Sequence, residues 1–255
     1  MNIVVPLKQT VDLVEELELN DDGTDVEREY LSFKLNEWDE QALEQALLLK
    51  DAGGAHVTAV ALDEPDVDQS LYAALAKGAD RAVKLTGDFA GGVSSHQRAA
   101  VLAEHLRGAE FDLILIGVQT PEDLDGQAGV ILAGTLGLPH VSVAVGVEPH
   151  DGGVKVSQEF GAGIVHELAV STPAVVGVQA APAAPRYVPI SRIRAAMQAG
   201  GIEEAPAPEV GADSGLTVRR MYAPESSTHA EMLGGGTDAV AARIVEIIRE
   251  RGVLK

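Results

Sequence analysis

Residues 112–139 read DLILIGVQTPEDLDGQAGVILAGTLGLP. The run Leu113-Ile114-Leu115-Ile116 is apolar without interruption, as in a strand buried on both faces of a parallel sheet. Gly117 ends it. Val118 to Asp125 carry three acids and a proline, which predicts a loop. A helix is predicted from about Gly126, with Val130, Ile131, Ala133, Gly134 and Leu136 on its packing side. Gly137 and Pro139 stop it. Gly126, Ala128 and Gly129 leave backbone N–H groups bare at the helix start, where those donors and the helix dipole attract phosphate. Ligands in open α/β sheets bind at this carboxyl end of a strand. The same small residues also suit an ordinary, closely packed βα connection, and the pattern alone leaves both readings open.

Upstream, the same alternation repeats. Ile3, Val4 and Val5 predict a first strand that Pro6 ends. A polar stretch follows, and Asn20-Asp21-Asp22-Gly23 between Leu17-Leu19 and Val26 reads as a β-hairpin turn. Asn36 suits an N-cap, with Asp39 three residues on as in a capping box. Trp38, Ala42, Leu43, Ala46, Leu47 and Leu49 then give a helical period that Gly53-Gly54 closes. Val57 to Leu62 is a second strand. A helix from about Asp66 to Lys77, a strand over Arg81 to Leu85 and a helix from Ser95 lead into the opening stretch. The order β–α–β–α–β–α–β–α predicts a parallel sheet with helices on both faces.

Downstream the pattern changes. Val141–Val147, Val154–Phe160 and Ile164–Val170 are short strands parted by Gly-rich turns, a β-meander. Ala174 to Val178 is apolar enough to return to the main sheet. Ala180 to Pro185, AAPAAP, is a stiff connector. Past it, Ile190, Ile193 and Met197 form a narrow stripe on a helix over 190–199. Glu203 to Gly215 reads as extended and Thr217 to Met221 as a strand. From Asp238 to Arg251, Val240, Ile244, Ile247 and Ile248 mark an amphipathic helix suited to a partner subunit. The expected division is a nucleotide-binding α/β domain of Rossmann type with its meander over 1–180, and a docking segment and C-terminal arm over 181–255.

Composition narrows the function. The chain has 255 residues, 46% of them apolar, and no cysteine. Disulfides and thiolate chemistry are excluded. The net charge, 19 − 39 = −20, argues against nucleic acid and anionic membranes. No run is long enough to insert in a membrane, and MNIVVPLKQ reads as a strand rather than a signal peptide, so a cytoplasmic protein is expected. The histidines are scattered without metal-ligand spacing, so no metal site is expected. Glu122, Asp123 and Asp125 stand in a loop with no basic phosphate-transfer residue beside them, and read as solvated acids. No GxGxxG or P-loop pattern occurs. These features favour a binding protein that holds a nucleotide without hydrolysing it.

Six stretches together resemble the β subunit of electron transfer flavoprotein: IVVPLKQTVD (3–12), LNEWDEQALEQALLLK (35–50), LAKGADRAVKL (75–85), IGVQTPEDLDGQAG (116–129), PRYVPISRIRAA (185–196) and VRRMYAPESSTHAEMLGG (218–235). The resemblance runs from end to end. It implies an adenine nucleotide alpha hydrolase-like fold and a heterodimer with an α subunit. The pair would hold one FAD and carry electrons from dehydrogenases, such as acyl-CoA dehydrogenases, through a quinone oxidoreductase towards the quinone pool. The β subunit would hold a structural AMP, or a second FAD if it is of the electron-bifurcating kind. Carried over by position, the nucleotide pocket would be lined by Pro6, Asn36, Glu37, Trp38, Asp39 and Leu62. The loop would add Gly117, Gln119, Thr120, Asp123, Asp125, Gly126, Gln127, Ala128 and Gly129. Trp38 also suits a core position. AMP-binding members commonly read Asn-Gln-Thr-Gly where this chain has Gly126-Gln127-Ala128-Gly129, and bifurcating members have a proline at Val130. Ile190 takes the place of the family's docking anchor, with Ile193 and Met197 beside it. A universal-stress-like nucleotide-binding protein without a redox role is the alternative from another class.

Overall fold

Leu113–Gly117 is buried at every position and lies in the interior of a nine-stranded sheet. The protein is described here from a computed structural model covering residues 1–123, 126–211, 217–223, 230 and 232–253. In chain order its elements are β1 (Asn2–Leu7), β2 (Gln9–Val11), β3 (Phe33–Leu35), α1 (Glu37–Gly53), β4 (His56–Leu62), α2 (Val67–Lys77), β5 (Arg81–Thr86) and α3 (Ser95–Leu106). There follow β6 (Leu113–Gly117), α4 (Gln127–Leu136), β7 (His140–His150), β8 (Gly153–Gly161), β9 (Ile164–Ser171), β10 (Ala174–Val178), α5 (Ile190–Ala199), β11 (Ile202–Pro206) and α6 (Thr237–Glu250).

The sheet order is β11-β5-β4-β1-β6-β10-β7-β8-β9, parallel from β11 to β7 and antiparallel in the meander β7-β8-β9. This is the expected α/β fold. The meander shares a strand with the main sheet, because β10 returns between β6 and β7. Chain direction across the sheet reverses at β1 and β6: β4 and β5 are laid to one side, β10 and β7 to the other. Crevices open at such switch points, outside the carboxyl ends of the strands.

Two apolar layers hold the helices. Leu43, Ala46, Leu47 and Leu71 pack with Val5, Val57 and Leu115 on one face. Ala99, Leu102, Leu106, Leu132 and Ala133 pack with Val60, Leu85 and Ile114 on the other. The α1 period matches expectation, and Gly54, at φ 72°, ends that helix by donating its N–H to the Lys50 carbonyl. On α4 the buried residues are Gly129, Leu132 and Ala133, while Val130 is half exposed to solvent. Ala133 is on the expected packing side, with Ile131 and Leu136 packed against the core, while Val130 and Gly134 turn outward and Leu132 takes their place: in so apolar a helix nearly every rotation looks like a packing side.

Other local expectations also change. Pro6 lies inside β1. It pairs in register with Val60 of β4, whereas β1 meets β6 only at Ile3 and Val4. The missing proline donor therefore falls where the ladder to β6 has already ended. The hairpin at Asn20–Gly23 reduces to one bridge between Leu19 and Val26, and the ordered antiparallel pair in this region is β2 with β3. Residues 217–221 are not a strand. Beyond the AAPAAP connector the chain rejoins the sheet, since β11 pairs with β5 from Ile202↔Ala82 to Pro206↔Thr86.

Two compact units result, residues 1–219 and 220–255. In the second, α6 carries the stripe Val240, Ile244, Ile247 and Ile248, and Arg243 bridges Glu246 at 2.7 Å and Glu250 at 3.5 Å on the polar side. The described residues of this unit contain no other helix or strand to cover the stripe. No helix among the described residues is long and apolar enough to cross a membrane.

Candidate functional site

At the β1/β6 switch point lies a shallow, narrow cleft. Its walls are the end of β1 (Pro6, Leu7, Lys8), the end of β6 (Ile116, Gly117), the following loop (Val118, Gln119, Thr120, Asp123, Gly126), Ala128 of α4, Asp39 of α1 and Arg98 of α3.

Asp39 organises it. One carboxylate oxygen accepts the Lys8 N–H and the other the Gly117 N–H, each at 2.9 Å. A single side chain thus ties the ends of β1 and β6 to the start of α1. The expected capping box does not form, because Asp39 is spent on the strands. Asn36 makes no side-chain cap either. Its Nδ2 donates to the Gln119 carbonyl at 3.0 Å, holding the loop, and its Oδ1 is buried without a partner. Burial pushes the Asp39 carboxyl up to about 6, opposed by the Asn36 amide, the Gly117 N–H, the Arg98 charge and the Lys8 N–H.

Gly117 is required by this junction. A Cβ there would stand 2.5 Å from Asp39 Oδ1 and 2.7 Å from the Asp39 nitrogen. Gly126 precedes α4 at φ +65°, and a Cβ would meet the Val118 carbonyl oxygen at 2.4 Å. Between them Thr120 and Asp123 close a tight turn. The Thr120 hydroxyl accepts the Asp123 N–H at 3.1 Å. The Asp123 carboxylate accepts the Gln127 N–H at 3.1 Å and a hydrogen bond from the Ser95 hydroxyl. An acid of the loop itself therefore caps α4, favourably for the helix dipole.

Basic groups border the cleft after all, which corrects the reading of a loop without them. Lys8 Nζ reaches Glu122 at 2.6 Å and Thr120 Oγ1 at 3.5 Å. Arg98 is buried and paired with the equally buried Glu64, which also accepts the Gln9 N–H at 3.3 Å. In sequence, Arg98 looks like a solvated charge on an amphipathic helix, and Lys8 is one lysine after a strand. Only the strand order brings them together.

Of the residues carried over by resemblance, Pro6, Asp39, Gly117, Gln119, Thr120, Asp123, Gly126 and Ala128 line this cleft together. Asn36 touches it through Gln119. Trp38 is half-buried, and its backbone backs on to Gly117. Gln127 contributes its N–H to Asp123, and Gly129 is buried behind the cleft against Ile116 and His140. Leu62 belongs to the core with Leu85 and Phe89, and Glu37 is exposed beside Lys34. Asp125 lies outside the described residues. No group of three or more potential metal ligands occurs among the described residues. The cleft offers the Thr120 hydroxyl and two paired cations, and among the described residues lining it no nucleophile stands beside a base.

The stripe beyond the connector is divided. Ile190 and Met197 are exposed, while Ile193 lies beside Ala73, Ala74 and Lys77 of α2. The helix is therefore not held away from the body of the protein.

Residues 24–210 match the family model of the electron transfer flavoprotein domain. The electron transfer flavoprotein subunit beta of Methylophilus methylotrophus is 34% identical over 262 aligned positions, covering 98% of each chain. That of Bos taurus is 29% identical, again over 98% of each chain. The acryloyl-CoA reductase electron transfer subunit gamma of Anaerotignum propionicum is 30% identical over 76% of this chain and 73% of its own. A stress-type protein without a redox role is thereby set aside, and the chain belongs to the electron transfer flavoprotein family, among its β subunits.

Proposed function

We propose that this chain pairs with an α subunit and serves as an electron carrier rather than an enzyme with chemistry of its own. In this reading the pair takes electrons from dehydrogenases, of the acyl-CoA type among others, and passes them towards the quinone pool through a quinone oxidoreductase. The electron chemistry is supplied by FAD, held mostly by the α subunit. The β cleft holds AMP.

The observation that carries the nucleotide assignment is the cleft at the β1/β6 switch point. Asn36 Nδ2 holds the Gln119 carbonyl and so fixes the loop wall of the cleft from behind. Pro6 and Ile116 give apolar walls for a ring. Ala128 in the first turn of α4 and Lys8 line the cleft together, and the Lys8 charge favours a phosphate there. Gln119 and Ala128 would bind and orient the ligand, Asn36 would hold Gln119 in place, and Asp39 would keep the strand ends at a fixed separation.

The test is to co-express the chain with an α subunit, purify the complex and measure FAD and AMP per heterodimer. One of each supports this reading. Two FAD and no AMP would replace it with the bifurcating one. A complex that forms without flavin would refute both.

A further inference from the structure

The connector between β10 and α5 is strapped to α1. The Ala181 N–H donates to Gln41 Oε1 at 2.9 Å. Five residues on, Arg186 closes on Glu44. Its backbone N–H donates to Glu44 Oε2 at 2.9 Å, its Nε lies 3.0–3.1 Å from both carboxylate oxygens, and its Nη2 donates to Oε1 at 3.0 Å. Nη2 also reaches Asp51 at 3.0 Å. Gln41, Glu44 and Asp51 stand at i, i+3 and i+10, along one side of α1. The Glu44 side chain is only 4% exposed. A carboxylate that buried needs its partner.

Between the two attachments lie Pro182 and Pro185, whose fixed φ limits the conformations open to the strap. Val188 is buried, and Pro189 begins α5, its carbonyl accepting the N–H of Arg192 at 2.9 Å. Ile190 is thus four residues beyond a multiply bonded ion pair whose carboxylate is buried and whose guanidinium is partly exposed. At its other end α5 runs through Gly200 and Gly201 into β11. Its inner side, at Ile193, rests by α2, and Tyr187, Ile190 and Met197 face outward, each exposed by 48% or more.

We infer that Glu44 and Arg186 form a clamp that holds the N-terminal turn of α5 in the orientation needed to present Ile190 to a partner dehydrogenase. They are positioning residues and touch no partner themselves. This rests on the docking role of α5 that the family resemblance implies. The clamp acts by limiting the orientations α5 samples, so that docking requires less ordering. A shape-only role would leave docking untouched once the fold is intact.

The test uses the purified heterodimer with Arg186→Gln, Glu44→Gln, the double variant, Arg186→Lys and Ile190→Ala. One readout is trypsin cleavage after Arg192 and Arg194 within α5. The other is KM and kcat with an acyl-CoA dehydrogenase reduced by its own thioester substrate. The flavin spectrum and thermal midpoint are controls. Arg186→Gln should speed cleavage in α5 about tenfold, because local opening becomes easier. It should raise KM for the dehydrogenase about tenfold and leave kcat at saturation unchanged. Arg186→Lys should recover part of the effect, since an ammonium reaches the carboxylate but lacks the planar fork. Should the stranded Glu44 charge prevent assembly, the neutral double variant carries the same expectation. Unchanged cleavage and KM, with only the thermal midpoint lowered, would overturn the clamp. If Ile190→Ala raises KM while the clamp variants do not, the clamp alone fails; if Ile190→Ala is also silent, the docking reading fails with it.

Discussion

Asp39 sets two physical effects against each other, and its titration decides between them. Full burial disfavours the charged form, while donors from Lys8 and Gly117 and the nearby Arg98 favour it. Burial is the larger, and the carboxyl rises from 3.8 to about 6. The sign follows directly. In the unfolded chain Asp39 loses its proton near 3.8, and in the folded chain only near 6. Its contribution to stability is fully present below about 3.8 and is lost as pH rises through 6, reaching roughly 3 kcal/mol in the limit. Asp39→Asn removes that titration and leaves one of two buried N–H groups facing an amide, a cost of about 1–3 kcal/mol. The assay is urea unfolding of both proteins from pH 4.5 to 7.5. The wild type should lose about 2 kcal/mol relative to Asp39→Asn over that range, so the gap between them narrows. Carbon-13 labelling of the Asp39 carboxyl should show a midpoint near 6. A midpoint at or below 4, with a gap that stays constant or widens, would mean that the two N–H donors outweigh burial.

Other perturbations separate the remaining roles. Ala128→Asp puts a charge at the start of α4 without a positive φ to strain, and should release AMP while the fold survives, since repulsion at ~4 Å costs at least about 1 kcal/mol even in water; AMP kept at wild-type stoichiometry would remove this loop from the site. Gly126→Ala should weaken the fold itself, its Cβ standing 2.4 Å from the Val118 carbonyl, which a lowered thermal midpoint would show and an unchanged one would refute. Ile190→Ala should weaken docking about five- to thirtyfold without disturbing the flavin spectrum; a normal KM for the dehydrogenase would deny it an anchoring role. Deleting residues 237–255 should weaken the heterodimer, because burying the surface that the α6 stripe still exposes contributes on the order of 2–4 kcal/mol gross; unchanged affinity between the subunits would show that this helix does not serve the α subunit.

Much of the fold could be read because its signals are local. Leu113–Ile116 is apolar throughout, α1 has a clear period, and glycines close α1, α2 and α4. The cleft was legible as a place, at the end of that strand, and as a set of small residues at Gly126–Gly129. Its polar wiring was not. Asp39 looks like a capping residue until two strand ends compete for it, and a through-space competitor leaves no mark on spacing. Lys8, Arg98 and Glu64 meet only through the sheet order. Pro6 reads as a strand end because sequence does not show which side of a strand is left without a neighbour. The clamp from Arg186 to Glu44 spans two elements far apart in the chain, and the AAPAAP run beside it suggests a free linker rather than a strap.

The late return of β10 has a consequence during synthesis. Leu113–Gly117 leaves the ribosome long before Ala174–Val178, the strand that pairs with it on one side. Until then β6 presents an open, wholly apolar edge, and the meander beyond it has no sheet to join. Such an edge invites pairing with other chains. Ribosome-bound chains in which β6 has emerged and β10 has not should therefore be the aggregation-prone species and the ones that recruit chaperones; emergence of β10 joins β6 to the meander, and β11 is added last, on β5.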